Sequence, residues 1–336
     1  MAARHRVAAS RVAELLLEWY RQGHRDLPWR ATTDPYRIWV SEIMLQQTRA
    51  QAVIPYYERF LKRFPTVEAL AAAAEPDVLA VWSGLGYYSR ARNLRRAAQQ
   101  VVAAGGFPRD YQALRALPGI GDYTAAAIAS IAFDLPHAVL DGNVLRVVAR
   151  LENDPSDISA GRTRDRFREV AQVWLDPAQA GLFNQALMEL GATICLPKNP
   201  LCLVCPVSEL CRAREAGTAD QLPVKLRKKE PVRVEGLLLV VRNQGLVLLR
   251  QRAANVKRMA GFWDLPSPED LPRARVGKKL GAIRHTITHH HYTLAVHAAT
   301  APPTGPEFAW FAPAALDEIP LSTTARKALK VAGLLS

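Results

Sequence analysis

Leu117-Pro118-Gly119-Ile120-Gly121-Asp122-Tyr123-Thr124-Ala125, then an alanine-rich run to Phe133 and the segment Leu140-Asp141-Gly142-Asn143-Val144, form the stretch on which the fold turns. Two glycines flank one isoleucine between a helix expected to end near Leu117 and another expected to start near Tyr123. Pro118 cannot continue the first helix, and the glycines accept backbone angles and close approaches that side chains prevent. The result is a helix-hairpin-helix whose amides, at Gly119 and Gly121, point outward at a helix start and suit a phosphate. An ordinary helical hairpin with a glycine cap would account for these residues alone. Here an acidic residue at a second helix start follows within about twenty residues, and a further acidic candidate and a cysteine cluster lie on either side.

The chain of 336 residues is long enough for two domains, each with its own core. Lys and Arg exceed Asp and Glu by 44 to 31, for a net charge of +13 and a pI near 9.9, which predicts a polyanionic partner. No apolar run approaches the roughly 18 residues of a membrane span, so nucleic acid is preferred to a lipid surface. The arginine-rich start has no long apolar core of a secretory signal, and Val7 to Tyr20 carries apolar residues at helical spacing. Without an export signal the expected compartment is reducing and cytoplasmic, beside the nucleoid if the source is bacterial. Clustered cysteines there are metal ligands rather than disulfides.

Helical signals with short breaks fill residues 7 to 212. Leu27-Pro28-Trp29-Arg30 is a loop with a bulky aromatic and a cation. A helix follows over Tyr36 to Leu45, where Glu42 stands among apolar residues, and Gln46-Gln47-Thr48 ends it with uncharged donors and acceptors suited to base edges. A carboxylate buried there has a raised pKa and is a candidate proton donor near neutral pH; a surface glutamate whose neighbours face the core is the alternative. Gly84-Leu85-Gly86-Tyr87-Tyr88, followed by Arg90, Arg92, Arg95 and Arg96, offers aromatic faces for stacking and cations for phosphates, against the alternative of a core tyrosine pair beside a solvated face. Asp141 occupies an N-cap position ahead of the amphipathic run Val144 to Leu151, where helix amides are expected to keep it ionised. Capping alone would also explain an Asp there.

All four cysteines, Cys195, Cys202, Cys205 and Cys211, fall within seventeen residues, spaced C-x6-C-x2-C-x5-C. Only one close-spaced knuckle is present, so a four-iron four-sulfur (4Fe-4S) cluster suits the set better than a zinc ribbon. After a charged, proline-containing stretch at 213–231 the composition changes. Val232 to Leu249 reads as paired strands around Asn243-Gln244-Gly245, Gly281 to His297 as two more around a histidine-rich turn, and Ser322 to Leu335 as a helix.

With these residues in view, the chain resembles the MutY-type adenine DNA glycosylases of the helix-hairpin-helix superfamily over nearly its whole length. Leu27 to Arg30, Trp39 to Thr48, Gly84 to Tyr88, Leu117 to Gly121, Leu140 to Val144 and the cysteine spacing carry the likeness. The resemblance implies a multidomain protein with an all-α glycosylase core, an iron-sulfur domain and a C-terminal α+β Nudix-like domain. Its boundaries are a first helix (1–26) belonging to the iron-sulfur domain, a six-helix domain (27–134), the cluster domain (135–212), a linker (213–231) and a mismatch-recognition domain (232–336).

The implied activity is removal of adenine opposite 8-oxoguanine or guanine in duplex DNA by a monomeric enzyme away from membranes. Glu42 would protonate the base and Asp141 would stabilise the sugar cation. Asn143 would orient Asp141, and Tyr123 would line the sugar side. Arg25, Trp29 and Gln185 would form the adenine pocket, and Gln47 and Tyr87 would fill or wedge the base stack. Arg30, Leu45 and Thr48 belong to the same DNA-facing set. Endonuclease III-like enzymes carry a Schiff-base lysine where this chain has Tyr123, which implies monofunctional chemistry. The C-terminal domain lacks the glutamate-rich box of Nudix hydrolases. Ile287-Thr288-His289 matches a Phe-Ser-His loop that touches 8-oxoguanine in the family, with Ile in place of the aromatic. His289-His290-His291 does not read as one metal site, since adjacent strand residues face opposite ways. Two rivals are an endonuclease III-like pyrimidine glycosylase with lyase activity and a non-catalytic DNA-binding module with a zinc site.

Overall fold

From Ala2 to Glu215 apolar residues at helical spacing give twelve described helices: α1 (Ala2–Gln22), α2 (Pro35–Leu45), α3 (Ala50–Arg63), α4 (Val67–Ala72), α5 (Glu75–Trp82), α6 (Ser89–Ala103), α7 (Tyr111–Ala116), α8 (Asp122–Phe133), α9 (Gly142–Leu151), α10 (Gly161–Trp174), α11 (Ala180–Thr193) and α12 (Arg212–Glu215). The structure is a computed structural model. It describes every residue except 1, 227–229, 254, 255, 257, 258, 288, 303, 304 and 336, with side chains from Ala9 onward. Chain packing separates two units, Met1–Ala71 with Arg96–Lys228, and Ala72–Arg95 with Lys229–Ser336.

The core of the helical unit is built from Leu16 and Leu17 of α1, Ala127 of α8, Val144 and Val148 of α9, Phe167 of α10, and Phe183 and Leu187 of α11. The first helix therefore packs with segments more than 150 residues away, and it begins five residues before the expected Val7. Between α8 and α11 the backbones nearly touch. A Cβ on Gly181 would lie 2.7 Å from the Ser130 carbonyl oxygen. Beside it the buried Asn184 satisfies three groups: its Nδ2 donates to Ser130 Oγ and the His137 carbonyl, both at 2.8 Å, and its Oδ1 accepts from the Val139 N–H at 3.1 Å. This buried amide fixes the chain after α8 and so the approach to Asp141.

The second unit holds a six-stranded sheet made of β1 (Val232–Asn243), β2 (Leu246–Gln251), β3 (Trp263–Asp264), β4 (Arg275–Ile287), β5 (His290–Thr300) and β6 (Phe308–Phe311), with a helix α13 (Thr323–Val331). The order is β3-β2-β1-β5-β4, with β6 beside β2; β1 and β5 are parallel, and the β1–β2 and β4–β5 pairs are antiparallel. Gln244 and Gly245 both take left-handed angles, as the tight β1–β2 hairpin requires, in the place the sequence marks for it. Alternation along β1 sends Val240 into a core with Ile283, Val296 and Leu329, and Leu239 and Val241 into a second with Leu248 and Leu271. Ser322 caps α13, which ends earlier than the expected Leu335 because Gly333 is left-handed. Within this unit Tyr88 packs on Phe262 with ring centroids 4.1 Å apart, and Ser83 Oγ donates to the Leu321 carbonyl at 3.4 Å.

Gly181→Ala should push the new methyl onto a backbone carbonyl that cannot rotate away. A loss of about 1–3 kcal/mol of stability is expected in urea unfolding of the full chain, with helical circular dichroism retained. Unchanged stability would mean that α8 and α11 separate without cost.

Candidate active site and cysteine centre

Helix α2 starts at Asp34, whose carboxylate accepts the Tyr36 N–H at 2.8 Å, with Pro35 in the first turn. From Ile38 to Met44 every residue is buried. The helix is enclosed all round, so Glu42 is 4% exposed and is not a surface glutamate. Its Oε2 accepts a 2.5 Å hydrogen bond from the hydroxyl of Tyr123, in the first turn of α8. Burial pushes the Glu42 carboxyl up to about 7. The Tyr123 hydrogen bond opposes that shift, the charge of Asp141 adds to it, and Arg30 opposes it. The Tyr123 hydroxyl also lies 3.3 Å from Met188 Sδ of α11. Tyr123, expected on the sugar side, reaches the carboxyl of Glu42 because α2 and α8 pack directly on one another.

Asp141 caps α9 as expected, accepting the Val144 N–H at 2.7 Å through Oδ1 and Asn143 Nδ2 at 3.0 Å through Oδ2. The pKa of Asp141 is nevertheless raised from its ordinary value. Burial outweighs the Val144 amide, the Asn143 side chain and amide, and Arg146, all of which favour the anion. Asn143 in turn accepts from Arg146 Nη2 at 2.9 Å. The same guanidinium donates to the Gly191 carbonyl at 2.6 Å and the Cys195 carbonyl at 2.7 Å. A Cβ on Gly191 would sit 2.7 Å from Asn143 Cβ, so only glycine permits this spacing. Sequence reasoning missed Arg146; its one signal is a cation in the middle of the apolar run of α9.

Glu189 of α11 was missed as well. Its side chain is 2% exposed, and it accepts from Arg25 (N–H 3.2 Å, Nε 2.8 Å, Nη2 2.6 Å) and from Arg30 Nη2 at 2.6 Å. Burial pushes its carboxyl up, but the Arg25 and Arg30 hydrogen bonds override it and hold the group at about 2. Arg30 also lies over the Tyr20 ring at 5.5 Å, and the Tyr20 hydroxyl donates to Gln185 Oε1 at 3.3 Å. Arg25, Arg30 and Gln185 are thus gathered around α11. Trp29 is buried edge-on against Tyr57 at 5.4 Å.

The other candidates are placed as follows. Leu45 and Thr48 are half-buried, and Gln47 is exposed with a left-handed φ of 59°. Gly119 has φ 79°, and Gly121 is the exposed N-cap of α8. Tyr87, in the second unit, is 43% exposed with φ 50°. Thr288 lies outside the described residues. His289 and His290 have rings 4.2 Å apart.

Cys195, Cys202, Cys205 and Cys211 line one cavity together with Val147, Leu190, Ile194, Leu201 and Arg150. The buried Arg150 donates to Cys195 Sγ at 3.3 Å and to the Leu196 carbonyl at 2.7 Å. Burial, with the charges of the neighbouring sulfurs adding to it and one backbone N–H opposing it, pushes the Cys205 thiol up to about 12. Among the described residues no three His, Cys, Asp or Glu side chains form a group that could hold a metal ion. Four thiols around a shared apolar cavity, with a buried guanidinium beside them, fit a group larger than one ion. Among the described residues no helix is long and apolar enough to cross a membrane.

Residues 40–172 match the model of the HhH-GPD superfamily of base excision DNA repair proteins, and residues 237–331 match a NUDIX domain. The adenine DNA glycosylase of Mus musculus is 37% identical over 378 residues, covering 88% of this chain and 73% of that protein. The chain belongs to the adenine DNA glycosylase family. The Homo sapiens relative is 35% identical over 94% of this chain and 73% of its own length. A thermostable thymine-DNA glycosylase of known structure superposes with a TM-score of 0.56 at 29% identity, over 64% of this chain and 99% of that one. The all-α glycosylase core and the C-terminal Nudix-like domain that the resemblance implies are therefore both present.

The depressed Glu189 carboxyl contributes stability that is complete above its ordinary value near 4.5 and is lost as pH falls toward about 2. Wild-type protein should lose up to roughly 3 kcal/mol across that window relative to Glu189→Gln, compared by chemical denaturation at each pH. Parallel pH profiles for the two proteins would contradict the ion network.

Proposed function

We propose that this chain hydrolyses the N-glycosidic bond of adenine mispaired with 8-oxoguanine or guanine in duplex DNA, opening base excision repair. The observation that carries the reading is a carboxyl on an enclosed helix, Glu42, held near neutral pKa and hydrogen-bonded by Tyr123. Adenine is a poor leaving group inside a base stack, so it must be flipped out and protonated as it leaves. With Oε2 engaged by Tyr123, the Oε1 of Glu42 carries the proton to the purine N7. The Tyr123 hydroxyl, its pKa raised well above 10 chiefly by burial, keeps its own proton and fixes the acid in place.

Asp141 serves as the anion beside the developing sugar cation. The amide of Val144 and the side chain of Asn143 favour its charged form, whereas among the described residues Glu42 has the single hydrogen bond from Tyr123. Two carboxyls in unlike surroundings thereby divide acid and anion between them. Arg146, through Asn143, orients Asp141. Arg25, Trp29 and Gln185 bound the adenine pocket, with Arg30 and Glu189 fixing its charge, and Leu45, Thr48, Gln47 and Tyr87 meet the opened stack. Gly119 and Gly121 hold a backbone phosphate. Thr288 and His289 read the oxidised purine edge from the C-terminal domain. Water is the nucleophile, as no lysine stands at position 123. Cys195, Cys202, Cys205 and Cys211 would hold a 4Fe-4S cluster, which when bound supplies a covalent tie across the segment 195–211 and takes no part in hydrolysis.

Single-turnover adenine release from an 8-oxoguanine:adenine duplex, against thymine-glycol and undamaged duplexes, tests the activity. Glu42→Gln should slow release by about 10²- to 10⁴-fold with duplex binding retained. The wild-type rate should fall as pH rises through about 7, because the acid form of Glu42 is lost there. Near-wild-type excision by the amide variant would remove Glu42 from the mechanism.

Purified protein should carry about four irons per chain with visible absorbance, and Cys202→Ser should lower both. Stoichiometric zinc with no iron would sink the cluster assignment.

A further inference from the structure

The loop Gly84-Leu85-Gly86-Tyr87 turns back on itself through three left-handed residues, Gly84 at φ 96°, Gly86 at 76° and Tyr87 at 50°. For the glycines this costs little. For a tyrosine it is an uncommon conformation that persists only where surroundings impose it, and Tyr87 is also 43% exposed, so burial does not impose it.

What surrounds the loop on its inner side is Arg90, 9% exposed in the first turn of α6. Its backbone N–H donates to the Tyr87 carbonyl at 2.9 Å. Its guanidinium Nη2 donates to the carbonyls of Leu85 at 3.4 Å and Gly86 at 3.2 Å. The guanidinium carbon lies 5.2 Å from the centre of the Tyr87 ring and 5.6 Å from that of Trp82. Trp82 Nε1 in turn donates to the Gly86 carbonyl at 3.1 Å. Tryptophan, guanidinium and tyrosine therefore form a stack that ends at the exposed ring. Burial lowers the Arg90 pKa to about 10, which leaves it a cation at neutral pH.

The geometry points to Arg90 as the positioning residue that sets the angle and height of Tyr87, so that the free face of the ring meets a DNA base step already aligned. The inference rests on the reading of Tyr87 as a DNA wedge and adds the group that aims it. A planar cation is needed for this task. It covers one face of the ring and still reaches two carbonyls, whereas an ammonium is a compact charge that does one or the other.

The test is a double-mutant cycle in the full chain with Arg90→Met, Arg90→Lys and Tyr87→Ala, alone and combined. The readouts are the Kd for an 8-oxoguanine:adenine duplex and the fluorescence of 2-aminopurine placed beside the lesion, which reports unstacking of the step. Iron content and thermal midpoint check that each variant is folded. Arg90→Met should weaken mismatch binding about tenfold, the range for a lost desolvated cation–π contact with its carbonyl bonds, and should suppress the 2-aminopurine signal. Arg90→Lys should recover less than half of either effect. In the Tyr87→Ala background Arg90→Met should add nothing, because its effect runs through the ring.

If Tyr87→Ala binds and unstacks DNA like wild type, the wedge reading itself fails. If Tyr87→Ala is impaired but Arg90→Met is not, or if the two losses simply add, Arg90 does not aim Tyr87 and the inference is overturned. Should Arg90→Met fail to fold, Arg90→Lys takes its place in the cycle, with the same two outcomes.

Discussion

Enclosing a carboxyl on a helix that has no polar face is the constraint on which this molecule depends. Once α2 is buried from Ile38 to Met44, the ionised form of Glu42 has no water to stabilise it, and the proton is retained to about pH 7. The surrounding helices then have to supply polarity at chosen points only. Tyr123 supplies one hydrogen bond from α8, and Arg30 supplies a positive charge that is itself neutralised by Glu189. Had Arg30 been free of Glu189, its field would have drawn the Glu42 pKa further down.

The second carboxyl stands in different surroundings. Asp141 loses solvent as well, and its pKa rises, yet it receives the Val144 amide and the Asn143 side chain, with Arg146 behind them. The two carboxyls therefore differ in their donors as well as in exposure, Glu42 being buried and Asp141 half-buried. Arg146 is held in turn by the Gly191 carbonyl of α11, a close approach that the glycine permits.

What was legible in the sequence was local. The glycine hairpin, the Asp141 cap, the Gln244-Gly245 turn and the compact cysteine spacing each act over a few residues, and each stands where the residues put it. The role of Glu189 was not legible, because a glutamate in a helix carries no mark until Arg25 and Arg30, about 160 residues earlier, are folded against it. The raised pKa of Asp141 was not legible for the same reason: the cap is in the sequence, the burial is in the tertiary packing. Strands β3 and β6, of two and four residues, exist through their pairing with β2 and leave no periodicity to read. Residues 72–95 likewise give no hint in their composition that they pack with the C-terminal sheet.

The reach of Arg146 and Glu189 has a consequence for synthesis. A ribosome delivers Glu42, Tyr123 and Asp141 well before it delivers α11, and sequence-local helices form first. Yet Arg146 finds its carbonyl partners only at Gly191 and Cys195, and Arg25 and Arg30 find theirs only at Glu189. A nascent chain stalled before residue 189 already contains the Tyr123 and Val144 partners of its two buried-site carboxyls, but lacks the groups that hold Arg146, Arg25 and Arg30. The ion network of Glu189 and the carbonyls that hold Arg146 are therefore completed only once α11 has emerged.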